Sequence, residues 1–174
     1  MRHIWILIFL VLWTGCSKTS DQTTNENPIY DVKKEPKMTS AFDPAGAAYV
    51  LKPGTATIKG VLSSKGRDDQ QYKGKHAKIH LIPITPYADE YIGKLFGEAT
   101  AIHWATSVGN LEERFFQSMR YAYTDEQGNY TFFGVPQGSY YVYTAVLLPS
   151  NFFAVYKRVE IAKGQTVILD LKDQ

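Results

Sequence analysis

The sequence has a single cysteine, Cys16, in 174 residues. No intramolecular disulfide can form, which excludes a small disulfide-stapled scaffold. Charge of one sign is also missing: 19 basic residues face 17 acidic ones, well mixed along the chain, for a formal net charge of +2. No block concentrates Lys and Arg, so nucleic acid is excluded as a partner. No apolar run approaches the roughly 20 residues that a spanning helix needs. The serine-hydrolase elbow, the zinc-protease His-Glu-x-x-His and the phosphate-binding loop are all absent from the sequence, and nothing points to a catalytic group, a cofactor or a metal. His76 and His80 lie four residues apart in a strand-like stretch. That spacing sets their side chains roughly 13 Å apart, too far to share one ion. Aromatics, by contrast, are abundant at 14%, which suits half-buried strands or a binding surface.

The start of the chain reads MRHIWILIFLVLWTGC. One Arg precedes an apolar run, Ile4 to Trp13, that ends at small residues before Cys16. This is the layout of an export signal rather than of a spanning helix. Gly15-Cys16 closing such a run resembles the lipobox of bacterial lipoproteins, with Trp13 where the usual Leu stands. The resemblance implies cleavage after residue 15 and acyl chains on Cys16, which anchor a protein stably when several act together. Ser17, in place of the Asp that signals inner-membrane retention in that family, implies the outer membrane, facing the periplasm.

Residues 17–48 are polar and punctuated by Pro, with no period of 2 or 3.6. Too few apolar groups are present to offset ordering entropy, so a flexible linker spanning residues 16–48 is expected, with an r.m.s. reach of roughly 30 Å. The composition changes at Tyr49, and the remaining 49–174 reads as one domain. "GTATIKGVL", "AKIHLIPI", "NYTFFGV", "SYYVYTAVLL", "FFAVYKRVEI" and "QTVILDL" alternate with period 2 between Gly- and Pro-rich breaks, the signature of strands. Asp125 to Gly128 is expected to make a tight hairpin turn, with Gly128 supplying a positive φ. Tyr130 and Phe132 would then face the core. Val135-Pro136-Gln137-Gly138 would turn the chain again, so that Tyr140 and Val142 return along the neighbouring strand. Short strands at this spacing predict an all-β antiparallel sandwich.

Five motifs in order carry a resemblance to the carboxypeptidase regulatory-like domain: Ile58-x-Gly60-x-Leu62, Ala77-x-Ile79-x-Leu81, Thr124-Asp125-x-x-Gly128-x-Tyr130-x-Phe132, Val135-Pro136-x-Gly138-x-Tyr140-x-Val142, and Val159-x-Ile161-x-x-Gly164-Gln165-x-Val167. The resemblance covers residues 54–171 with one interruption. It implies a seven-stranded, transthyretin-like, Greek-key sandwich and an accessory role, without one activity. The hydrolase of 5-hydroxyisourate shares that fold but ends in Tyr-Arg-Gly-Ser, whereas this chain ends in Leu-Asp-Leu-Lys-Asp-Gln.

The interruption, about residues 84–114, is too long for a structureless connection. Thr85 reads as an N-cap with Pro86 at the first helical position, and Tyr91, Ile92, Leu95 and Phe96 form an apolar stripe, predicting a helix over 86–98. Beyond it the pattern fits either a helix capped by Asn110 or a strand; a turn at 109–113 and a strand over 115–124 are favoured. Trp104 either plugs the edge of the core or presents a contact surface.

Two functions are compatible with these residues. The leading one is a lipid-anchored, non-catalytic module that contacts another envelope protein, with the insertion as recognition site. Its alternative is a module that binds glycan or peptidoglycan. Tyr87, Tyr91, His103 and Trp104 are the candidate partner-binding residues.

Overall fold

The period-2 stretches fold as strands, and their inward residues meet in one core. The computed structural model describes residues 35–66, 69–147 and 152–172. The expected cleavage site, Cys16 and the first half of the expected linker lie outside these residues. Ten strands are present among the described residues: β1 Ala56–Val61, β2 Ser63–Lys65, β3 Gln71–Lys73, β4 Lys78–Pro83, β5 Ala101–Ile102, β6 Arg120–Tyr123, β7 Asn129–Val135, β8 Gly138–Leu147, β9 Phe152–Ile161 and β10 Thr166–Ile168. They form a three-stranded sheet in the order β10-β1-β7, a five-stranded sheet in the order β5-β9-β8-β4-β6, and a β2-β3 ribbon.

The two larger sheets make the expected sandwich. Ala56, Ile58, Tyr130, Phe132 and Val135 from one sheet pack against Ile79, Leu81, Tyr140, Val142, Phe153 and Val155 from the other. Strand pairing is antiparallel except for β1 with β10, which run parallel.

The count of ten corrects the expected seven. The ribbon β2-β3 is formed by the largely polar Ser63–Lys65 and Gln71–Lys73, because its pairing needs backbone groups rather than apolar side chains. The two-residue β5 comes from the insertion and pairs with β9. A second correction concerns the turns. Gly128 does have φ 81°, and its N–H donates to Asp125 O at 3.0 Å. The Asp125 carboxylate accepts from the Gln127 and Asn129 N–H groups at 2.9 and 2.8 Å. Yet β6 pairs with β4 while β7 pairs with β1, so this turn carries the chain from one sheet to the other. The Pro136 turn does the same between β7 and β8. A local turn signal fixes the reversal; which strand lies alongside is decided by the sheets.

A third layer covers the outer face of the five-stranded sheet. Three short helices contribute: α1 Pro44–Ala47, α2 Pro86–Phe96 and α3 Glu113–Gln117. Thr85 caps α2 by accepting from the Ala88 N–H at 3.2 Å, with Pro86 in the first turn, so the expected helix is present, ending at Phe96. The favoured strand from residue 115 is replaced by α3 and the shorter β6. Asn110 does not cap it. Its backbone has φ 48° and its side chain is engaged elsewhere, so α3 begins at Glu113 with Glu112 as an unbonded cap.

The domain also starts earlier than composition indicates. Met38, Phe42 and Ala47 are buried in the helix layer, and Val50 is buried in the sandwich. These apolar residues are too sparse to make a period, and they become legible only when the gap they fill exists. Residues 35–48 therefore belong to the ordered domain rather than to a linker.

Candidate functional site

The insertion is the expected place for recognition, and the tyrosines of its helix are spent on packing. Tyr87 and Tyr91 are 2% and 8% exposed. The Tyr87 ring lies 5.3 Å from that of Phe42 and 4.9 Å from that of Phe115. Its hydroxyl accepts from the Glu112 N–H at 2.9 Å. Tyr91 packs edge-on to Phe115 at 5.2 Å, and burial pushes its phenol well above the ordinary range. With Ile92, Leu95 and Phe96 they cover Ile82, Tyr141 and Ala154 of the sheet. The α2 stripe is a lid on a second core.

Trp104 and His103 follow β5 and are separated from that cluster. Trp104 is 62% exposed, so it is not the core plug. His103 is half-buried, with its ring 5.4 Å from that of Phe153. The four candidates therefore form no common site.

The exposed aromatic surface lies instead where the helix layer stops. Tyr121 and Tyr123 sit on β6, the edge strand, and their cross-strand partners on β4 are His80 and Lys78. Residues at i and i+2 share a strand face, so these four side chains lie together beside the helices. The Lys78 ammonium stands 3.7 Å from the centre of the Tyr121 ring, a cation–π contact. The Tyr121 hydroxyl donates to Phe116 O at 2.9 Å, which ties α3 to the patch. Tyr123 is 66% exposed, with Tyr121 and Phe116 near 40%. The Tyr121 and Tyr123 spacing is visible in the sequence, but alternation alone does not tell a face under helices from one beyond their reach.

Among the described residues, no strand pairs with the outer edge of β6. The Thr124 N–H donates to Ala77 O, so Ala122 and Arg120 share the alternating ladder bonds with β4. The backbone groups of Tyr121 and Tyr123 point away from the sheet. Arg120 donates to Phe133 O and Gly134 O, stitching β6 to the adjacent margin of the other sheet.

His80 is the half-buried ionisable group of this region. Its ring touches those of Tyr121 at 5.1 Å and Tyr143 at 5.4 Å. Burial, then the Lys78 charge, lowers its pKa to about 4, so it is neutral at pH 7. His76 precedes β4 with φ 52° and pairs with Glu126 at 2.7 Å. Among the described residues, no group of three or more His, Cys, Asp or Glu could hold a metal ion. Shallow grooves lie elsewhere. One, of about 300 Å³, is lined by Lys59, Asn129, Thr131 and Ile168, and another, of about 500 Å³, by Tyr49, Lys52, Pro136 and Lys163. Neither gathers a nucleophile with a base. No helix among the described residues is long and apolar enough to cross a membrane.

No family model matches the chain, and no curated protein matches it in sequence. Among solved structures it is similar to a Pseudomonas aeruginosa protein described as a "putative carbohydrate binding protein". The TM-score is 0.64 at 22% identity, covering 78% of this chain and all of that one. That likeness supports the sandwich fold. The GBS52 minor pilin of Streptococcus agalactiae (TM-score 0.35, 13% identity, 70% of this chain and 46% of that one) is far more distant. So is chlorocatechol 1,2-dioxygenase of Pseudomonas putida (TM-score 0.35, 16% identity, 82% and 68%).

Proposed function

We propose that this protein is a non-catalytic binding module, held at the bacterial outer membrane by acyl chains on Cys16, that contacts another envelope protein through the β4–β6 patch. One observation carries the reading. Tyr121, Tyr123, Phe116 and Lys78 form a continuous exposed surface, while Tyr87, Tyr91 and Phe96 of the insertion are buried. Tyr supplies large contact area at low entropic cost, and such residues anchor protein interfaces. The outer backbone edge of β6, unpaired among the described residues, offers ladder bonds that an extended partner segment can use. The lipobox-like start supports the anchor.

The test is site-specific photo-crosslinking from position 123 in intact envelopes. A discrete crosslinked protein, lost in Tyr121→Ala and retained in Trp104→Ala, is expected. Absence of any crosslink from position 123 would overturn the patch.

A second reading, glycan binding, is favoured by the exposure of Trp104 and by the description of the Pseudomonas aeruginosa neighbour. An indole ring at the surface can stack on a sugar face. Sedimentation with peptidoglycan that Trp104→Ala abolishes and Tyr121→Ala spares would transfer the function to that residue.

A further inference from the structure

We infer that residues 35–42 form a latched strap that undocks from the helix layer without unfolding the sandwich, giving whatever precedes residue 35 two lengths of attachment. This goes beyond the binding reading and does not depend on it.

The latch is built from side chains of the insertion. Glu90, on α2, accepts three hydrogen bonds from the strap: from Thr39 N and Ser40 N, both at 2.8 Å, and from Thr39 Oγ1 at 2.7 Å. These bonds, those of Ser40 first and Thr39 next, hold its carboxyl well below the usual carboxylate range. Asn110 holds Met38 from the other side. Its Oδ1 accepts from Met38 N at 2.8 Å and its Nδ2 donates to Met38 O at 3.4 Å. Gly109 N donates to Pro36 O at 2.9 Å, beside a parallel bridge between Lys37 and Gly109. Asn110 has a left-handed backbone, φ 48°. Such a conformation is uncommon outside glycine and is maintained by its surroundings.

The strap's apolar hold is small by comparison. Only Met38 and Phe42 are buried between residues 35 and 42, and Phe42 seats against Tyr87 and Phe115. The next segment is held far more firmly. Ala47 and Val50 are fully buried, and the Tyr49 hydroxyl donates to Ser139 O at 2.5 Å while accepting from Ile84 N. Asp43 caps α1 between the two, accepting from Ala45 N and Gly46 N. An opening transition therefore has a natural stop at Asp43. Segments with few buried contacts open at lower free energy than the core. Release of eight residues lengthens the attachment by up to about 27 Å, at ~3.4 Å per extended residue. Tension on the preceding chain loads the Glu90 and Asn110 bonds before it reaches the sandwich. This assigns the insertion a second task, holding the strap as well as covering the sheet.

Hydrogen exchange followed by mass spectrometry on the full chain tests this. In the wild type, amides 38–40 should be protected at least tenfold over an unstructured chain, yet exchange orders of magnitude faster than those of β8. Glu90→Ala and Asn110→Ala should each remove most of that protection and leave β4, β8 and β9 unchanged. Thr39→Ala, which deletes one bond, should give an intermediate loss. Unprotected strap amides in the wild type would overturn the latch. So would Glu90→Ala variants in which strap and β8 exchange rise together, or which fail to fold, since the strap would then be part of the global unit. Unaltered strap protection in both Glu90→Ala and Asn110→Ala would equally exclude these side chains as the latch.

Discussion

The backbones of Leu62 and Gly128 touch: Leu62 N donates to Gly128 O at 2.8 Å, and a β-carbon at Gly128 would fall 2.6 Å from Leu62 O. Gly128 also has φ 81°. Glycine is required there for two independent reasons, its backbone angle and the close approach of the strand beside it. Gly97 has φ 60° but nothing within 4 Å of a built β-carbon.

That contrast gives the first prediction. Gly97 has ψ −123° with its φ of 60°, outside the left-handed helical region and strained for any side chain, so Gly97→Asn should cost about 1–3 kcal/mol from backbone angles alone. Gly128→Asn meets a positive φ and also clashes with the Leu62 backbone, and should cost more, about 3–5 kcal/mol. Equal melting temperatures for the two variants would contradict the close approach.

Replacing residues 86–113 with a short Gly-Ser connection should not leave a folded sandwich. Tyr87, Tyr91, Ile92, Leu95 and Phe96 are buried on the sheet. At about 1.5–3 kcal/mol for each large side chain, their burial contributes on the order of 10 kcal/mol. A domain has about 5–15 kcal/mol in total. Insoluble or uncooperatively melting protein is expected, and a sharp thermal transition in the deletion would refute the lid.

His80 makes stability depend on pH in a defined window. Its folded pKa, about 4, lies below the ordinary 6.5. The folded state thus binds fewer protons than the unfolded one between these values, and stability falls as pH drops from about 6.5 towards 4. The full difference is roughly 2–3 kcal/mol once partial exposure is discounted. Glu126 and Asp125, whose carboxyls are held low by hydrogen bonds from His76 and Asn129, lose their contributions only at more acidic pH. Chemical denaturation at pH 7 and pH 5 should show a smaller difference in His80→Leu than in the wild type. An unchanged difference would place the acid sensitivity elsewhere.

Cys16→Ser should abolish partitioning into the detergent phase and leave the protein soluble or uncleaved. Unchanged partitioning would remove the lipid anchor, and with it the outer-membrane assignment.

Much of the sandwich is legible in the sequence because a strand's two faces alternate with period 2. Ile58, Ile79, Leu81, Tyr130, Phe132, Tyr140 and Val142 all read as inward and are all buried. The turn at Gly128 and the capped start of α2 at Thr85 are equally local, set by backbone angle and by a side chain reaching its own helix. Tertiary structure decided the rest. Alternation gives the faces of β4, β6 and β8, but only the placement of α2 determines that Tyr141 is covered while Tyr121 and Tyr123 are left in solvent. Tyr87 and Tyr91 looked like binding residues because an amphipathic stripe can face a partner or a sheet with the same spacing. Met38 and Phe42 looked like linker because two apolar residues four apart have no period of their own. Their burial depends on a gap lined by Tyr87 and Phe115, residues 45 or more positions away. Periodicity reports which residues share a face, whereas what that face meets is a long-range contact that only the assembled layers supply.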